Sequence, residues 1–140
     1  MTSRPLVLDT NIVLDVFVFL DENAKPVRSG LEAGELRWLA TLAMRDELER
    51  VLSYAQITAQ LACCGLVPAD VLQAFDRHSH RVEAPAKACV TCEDPDDQKF
   101  IDLAVAHRAM LLSKDRAVLA LKKRLAPLAV RASSTLTVTD

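Results

Sequence analysis

Residues 93–115 read EDPDDQKFIDLAVAHRAMLLSKD, with acidic groups at both ends of a helix-then-strand unit. The helix signal is strong. Asp94 suits the N-cap, Pro95 the first helical position where a missing N–H costs nothing, and Asp97 the first turn, where the helix dipole favours negative charge. Phe100, Ile101 and Ala104 then recur at helical spacing, and Asp97 precedes the first two by three and four residues, so it shares their inward face. A carboxylate turned inward needs a partner. After His107 and Arg108, the apolar run 109–112 reads as a buried strand with Ser113, Lys114 and Asp115 at its C-terminal edge, where open α/β sheets bind their ligands.

Working outward, Leu6-Val7-Leu8 followed by Asp9-Thr10-Asn11 reads as a second buried strand ending in polar residues. An apolar helix over 12–20 follows, capped by Thr10 or Asn11, with Asp15 expected to face solvent. Residues 23–34 are helix-compatible but broken by Pro26 and Gly30, and Gly34 is a stop before a strand over 36–42. In the acidic helix 45–53, Met44, Leu48, Val51 and Leu52 mark a buried stripe. Glu47 keeps the spacing of that stripe, so one glutamate is predicted to point inward. Two helices over 55–64 and 69–77, a short strand over 80–84 and a helix over 117–125 stopped by Pro127 complete the order. The last strand is assigned to 128–130 or 136–138. Strands alternating with helices predict a mostly parallel sheet covered on both faces, in a single domain over 1–140.

The composition narrows the function. Hydrophobic residues make up 51% of the 140, enough for a proper core, while aromatics are only 4%, which argues against an array of rings for stacking single-stranded bases. A net charge of −2 predicts no broad nucleic-acid surface. A local one is still available, because five of the 17 basic residues, Lys114, Arg116, Lys122, Lys123 and Arg124, crowd behind Ser113. With neither a signal peptide nor a membrane-spanning run in evidence, a cytoplasmic location is expected, and Cys63, Cys64, Cys89 and Cys92 are then expected as reduced thiols. Cys63 and Cys64 are assigned to helix packing.

Asp9 and Asp115 thus end two strands, Asp97 begins a helix, and Glu47 points inward from another. Four converging carboxylates would raise one another's pKa values unless a cation neutralised them. An all-oxygen donor set suits Mg2+ or Mn2+ better than zinc, and Asn11 could supply an amide oxygen or hold a water. Such an ion has a natural use on phosphodiesters, with the acids as ligands rather than nucleophiles.

The ordered set Asp9-Thr10-Asn11, Glu47 in ELERVL, Asp97 in DPDDQKFIDLA and Asp115 in LLSKD resembles the PIN domain (PilT N-terminus) family, toxin–antitoxin type, from Leu6 to about Leu121. The resemblance implies a three-layer α/β/α sandwich with a central parallel sheet, and Mg2+- or Mn2+-dependent endoribonuclease activity. It implies Asp9, Glu47, Asp97 and Asp115 as the acidic metal site, supported by Asn11 and by Ser113, whose hydroxyl would orient a carboxylate. It further implies an RNA substrate, a cognate antitoxin and a homodimer, for which the apolar helices around Leu61 and Leu72 are candidate surfaces. Lys114 stands where the family often has Gly; with Arg116 it is a candidate contact to substrate phosphate. The alternative from another class is a non-catalytic PIN-like module that binds RNA or an antitoxin. A structural zinc site at Cys89 and Cys92, with His78 and His80 upstream, is the remaining metal alternative.

Overall fold

The computed structural model describes residues 4–136, with the backbone alone at Arg4. Five strands form one parallel sheet: β1 (Arg4–Leu8), β2 (Leu36–Ala40), β3 (Ser79–Arg81), β4 (Met110–Leu112) and β5 (Ala132–Ser133), in the spatial order β3-β2-β1-β4-β5. In the central strand Leu6, Val7 and Leu8 are all buried, so both of its faces are covered. Parallel strands enclosed in this way read as unbroken apolar runs rather than alternating ones. The covering helices are α1 (Thr10–Phe17), α2 (Lys25–Glu32), α3 (Leu42–Leu52), α4 (Ala55–Cys63), α5 (Pro68–His78), α6 (Gln98–His107), α7 (Arg116–Leu119) and α8 (Lys122–Leu125). No single helix among the described residues is long and apolar enough to cross a membrane.

The winding places the site. From β1 the chain passes outward to β2 and β3, then returns through α6 to add β4 on the opposite side of β1. Strand order therefore reverses between β1 and β4, and it is beyond the C-terminal strand ends at such a point that open α/β sheets bind their ligands. Leu6 pairs with Met110 and Leu8 with Leu112 in this register, and the amide of Asp9 extends the ladder by donating to the Leu112 carbonyl at 3.0 Å. Two strand ends more than a hundred residues apart in sequence thus share one edge.

Several boundaries differ from those the sequence suggested. The first helix ends at Phe17, because Leu20 takes a left-handed backbone (φ 51°) that no helix can continue through. Pro26 lies in the first turn of α2 rather than breaking it. Gly30 is needed for close approach: a Cβ there would lie 2.6 Å from Leu36 Cδ1. Leu42 opens α3 instead of closing β2. The helix expected over 117–125 is divided in two at Ala120 and Leu121, and Pro127 lies within a 3-10 turn, Ala126–Leu128. The last strand, at Ala132–Ser133, falls between its two candidates, of which the second extends outside the described residues. Cys63 and Cys64 are exposed rather than packed. Leu61 and Leu72 are themselves buried in the core, while the helices that carry them keep exposed residues on their outer faces.

Candidate metal centre

Each acid is presented by a different local device. Asp9 follows β1 as the N-cap residue of α1, in extended backbone, so its side chain is released from the sheet where the helix turns away. Asp97 closes a 3-10 turn, Pro95–Asp97, that runs directly into α6. Asp94 caps that turn by accepting from the Asp96 amide at 3.0 Å. The loop leading into it is pinned by two side chains of α6. Gln98 accepts from the Cys92 amide at 2.7 Å and donates to the Val90 carbonyl at 3.0 Å, while Asp102 accepts from the Ala88 amide at 2.8 Å. Asp115 caps α7 by accepting from the Ala117 amide at 2.8 Å, leaving its second oxygen for other work.

These devices bring Asp9, Asp97 and Asp115 together, with a carboxylate oxygen from each within 4.8 Å of the others. Asp9 and Asp97 are buried and Asp115 is half-buried. Ser113 ties the two strand ends: its hydroxyl donates to Asp9 Oδ2 at 2.6 Å and accepts from the Asp115 amide at 3.0 Å. Asp97 Oδ2 is buried with no hydrogen-bond partner. An acceptor in that position carries the full cost of lost hydration unless a proton or a cation meets it.

The electrostatics say the same. The Asp97 carboxyl is pushed up to about 8, first by burial, then by a hydrogen bond to Asp115 and by the charges of Asp9 and Asp115. Burial also raises Asp9, with the charge of Glu47 adding to it, against a lowering by the Ser113 hydroxyl. Three mutually repelling carboxylates, one of them with a buried oxygen that lacks a donor, form an all-oxygen set that fits a hard divalent cation.

Glu47, expected as the fourth member, stands outside this group. Its Oε1 lies 2.6 Å from Lys99 Nζ, and its Oε2 accepts from the Thr10 hydroxyl. Asn11 is exposed on the first turn of α1. Asp15 departs from its expected solvent position: it is buried, and its Oδ2 is 2.6 Å from Lys114 Nζ. The Lys114 ammonium is therefore engaged by α1, while Arg116 is exposed. Thr10, Lys99 and the Asp15–Lys114 pair went unrecognised in the sequence. Thr10 lay inside the Asp-Thr-Asn motif, but nothing in the spacing signals Lys99, which is 52 positions from its partner. The cysteine alternative finds no cluster, since Cys89 is exposed, Cys92 is buried with its thiol donating to the Ala117 carbonyl at 3.7 Å, and neither belongs to a metal-ligating group among the described residues.

Two comparisons bear on this geometry. The sequence profile of the family described as "PIN domain" matches residues 5–117, which include all three clustered aspartates, Glu47 and Lys99. No curated protein sequence matches. Among solved structures, a chain of VapBC2 from Rickettsia felis, crystallised bound to a DNA fragment from their promoter, superposes with a TM-score of 0.61 at 14% identity. The match covers 91% of this chain and 98% of that one.

Proposed function

Because this chain belongs to the PIN domain family, we propose that it is a metal-dependent endoribonuclease that hydrolyses RNA phosphodiester bonds and acts as the toxin of a toxin–antitoxin pair. The observation that carries the catalytic part is the donor-less buried oxygen of Asp97 between two other carboxylates. Asp9, Asp97 and Asp115 would hold Mg2+ or Mn2+. When bound, such an ion supplies Lewis acidity to a phosphodiester and eases loss of a proton from water.

The chain's own residues prepare the centre. Ser113, by donating to Asp9, favours the ionised carboxylate against the burial that opposes it. Asn11, two residues past Asp9 and exposed, would support the site from the rim. Arg116, Lys122, Lys123 and Arg124 are exposed in the chain following Asp115 and would meet the phosphate backbone, with Lys114 contributing if it leaves Asp15. Likeness in fold to a chain of a VapBC complex supports an antitoxin partner, and a homodimer is proposed with it.

The test is incubation of purified protein with RNA and Mn2+, in parallel with EDTA and with Asp9→Asn. Cleavage by the wild type alone, and only with metal, is expected. Equal cutting by both proteins would assign the activity to a contaminant, and RNA binding without cutting would favour the non-catalytic module. A finer prediction concerns Ser113→Ala, which removes the one side-chain donor to Asp9 among the described residues: Mn2+ affinity, read by calorimetry, should weaken by roughly 10–100-fold, as for other outer-shell partners of metal ligands. An unchanged affinity would leave Ser113 a structural link only.

A further inference from the structure

The acids at this edge differ in how their charge is met, and Lys99 makes the difference. Its Nζ lies 2.6 Å from Glu47 Oε1, donates also to the Asp96 carbonyl, and sits 4.9 Å from the centroid of the Phe100 ring. With Thr10 on Oε2, both oxygens of Glu47 are engaged. The side chains of Lys99 and Glu47 are only 25% and 14% exposed, so their attraction is less screened than that of a surface pair. Asp9, Asp97 and Asp115 have no such compensation: the ion pairs among the described residues join Arg45 to Asp76, Lys99 to Glu47 and Lys114 to Asp15. Four acids at one edge are thus divided into three that await a cation and one that already has one.

We propose that Lys99 is a positioning residue that holds Glu47 out of the three-aspartate group and limits the centre to a single divalent ion. The inference rests on the metal-dependent reading above. Three carboxylates against one dication leave a single excess negative charge. A freed Glu47 would add a fourth, and with it the ligand and the charge that favour a second cation. The helix supplies the leverage: Lys99 is two residues after Asp97, so the turn that aims one acid into the site also carries the cation that withholds the other.

Mn2+ titration of the full chain, with free Mn2+ followed by electron paramagnetic resonance, tests this without any measurement of activity. The wild type is expected to bind one ion. Lys99→Met should bind a second, or bind the first about tenfold tighter, whereas Lys99→Arg, which keeps the ion pair, should behave as the wild type. Lys99→Met combined with Glu47→Gln should return to one ion at the affinity of Glu47→Gln alone. Persistence of the gain in that double variant would overturn the proposal, because the missing cation would then act through space rather than through Glu47. A Lys99→Met protein indistinguishable from wild type would overturn it as well, while leaving the metal centre intact. If wild type and variant alike bind no Mn2+, the metal-dependent reading falls first and this inference with it. Circular dichroism establishes that each variant is folded, and Lys99→Gln repeats the measurement should Lys99→Met not fold.

Discussion

Replacing Asp97 by Asn is expected to reduce metal-dependent cleavage by about a thousandfold, the rate equivalent of several kcal/mol of lost charge stabilisation, while making the metal-free protein more stable at neutral pH. The two effects share a cause. Asp97 is buried with one oxygen lacking a donor, and burial pushes its carboxyl up from the ordinary 3.8 to about 8. A raised pKa in an acid means that the native state holds its proton where the unfolded chain has released it. The stability contribution is therefore whole below about pH 4 and is lost progressively as pH rises towards 8. Asn is neutral throughout and can donate to Asp9 or Asp115. The advantage of Asp97→Asn should thus grow from near zero at pH 4 to several kcal/mol at pH 8, at about 1.4 kcal/mol for each pH unit crossed. Urea unfolding in EDTA at pH 5 and pH 8 measures it. Saturating Mn2+ should stabilise the wild type and not the variant. A variant less stable than wild type at pH 8 in EDTA would mean that the Asp97 charge is met by something other than an ion.

The second large effect belongs to the core beneath the site. Trp38 of β2 is 1% exposed, packs edge-on against Phe75 of α5 with ring centroids 4.8 Å apart, and stacks on Phe17 of α1 at 6.1 Å. It is also in register with Leu6, the first buried residue of the strand that delivers Asp9. Trp38→Ala removes the largest fully buried side chain and leaves a cavity between three elements. Losses of this kind run to about 3–5 kcal/mol, which for a domain of this size lowers the melting temperature by roughly 10–20 °C. Mn2+ affinity measured well below the transition should remain within a few-fold of wild type, because the hydrogen bonds and the ion pair that hold Asp9, Asp115 and Glu47 run to Ser113, Ala117, Thr10 and Lys99 and not to Trp38. A selective loss of metal binding, with stability retained, would contradict this division between core and site.

Local residues announced much of the architecture. The run Leu6–Leu8 is a strand because three consecutive apolar residues suit a strand buried on both faces, and Asp94-Pro95 starts a helical segment through capping chemistry confined to four residues. Asp97 was placed on the inward face by its spacing from Phe100 and Ile101, and it is buried beside Asp9 and Asp115. Asp15 looked solvent-facing because its counter-charge, Lys114, is supplied by a distant loop. Cys63 and Cys64 looked like packing residues because apolar neighbours in sequence say nothing about which side of a helix meets the core. The break between α7 and α8 lies in a stretch that carries no breaker residue at Ala120 or Leu121.

Periodicity, capping and the polar ends of apolar runs determined the element types and the identity of the acids, since these depend on interactions within a few residues. Which acids meet, and in what state of charge, was settled only by the crossing of the chain from one side of β1 to the other. That crossing puts Asp9, Asp97 and Asp115 within reach of one another and hands Glu47 to Lys99. The physical reason is range: side-chain chemistry is local and written in the sequence, whereas charge compensation acts across space between segments that sequence order keeps far apart.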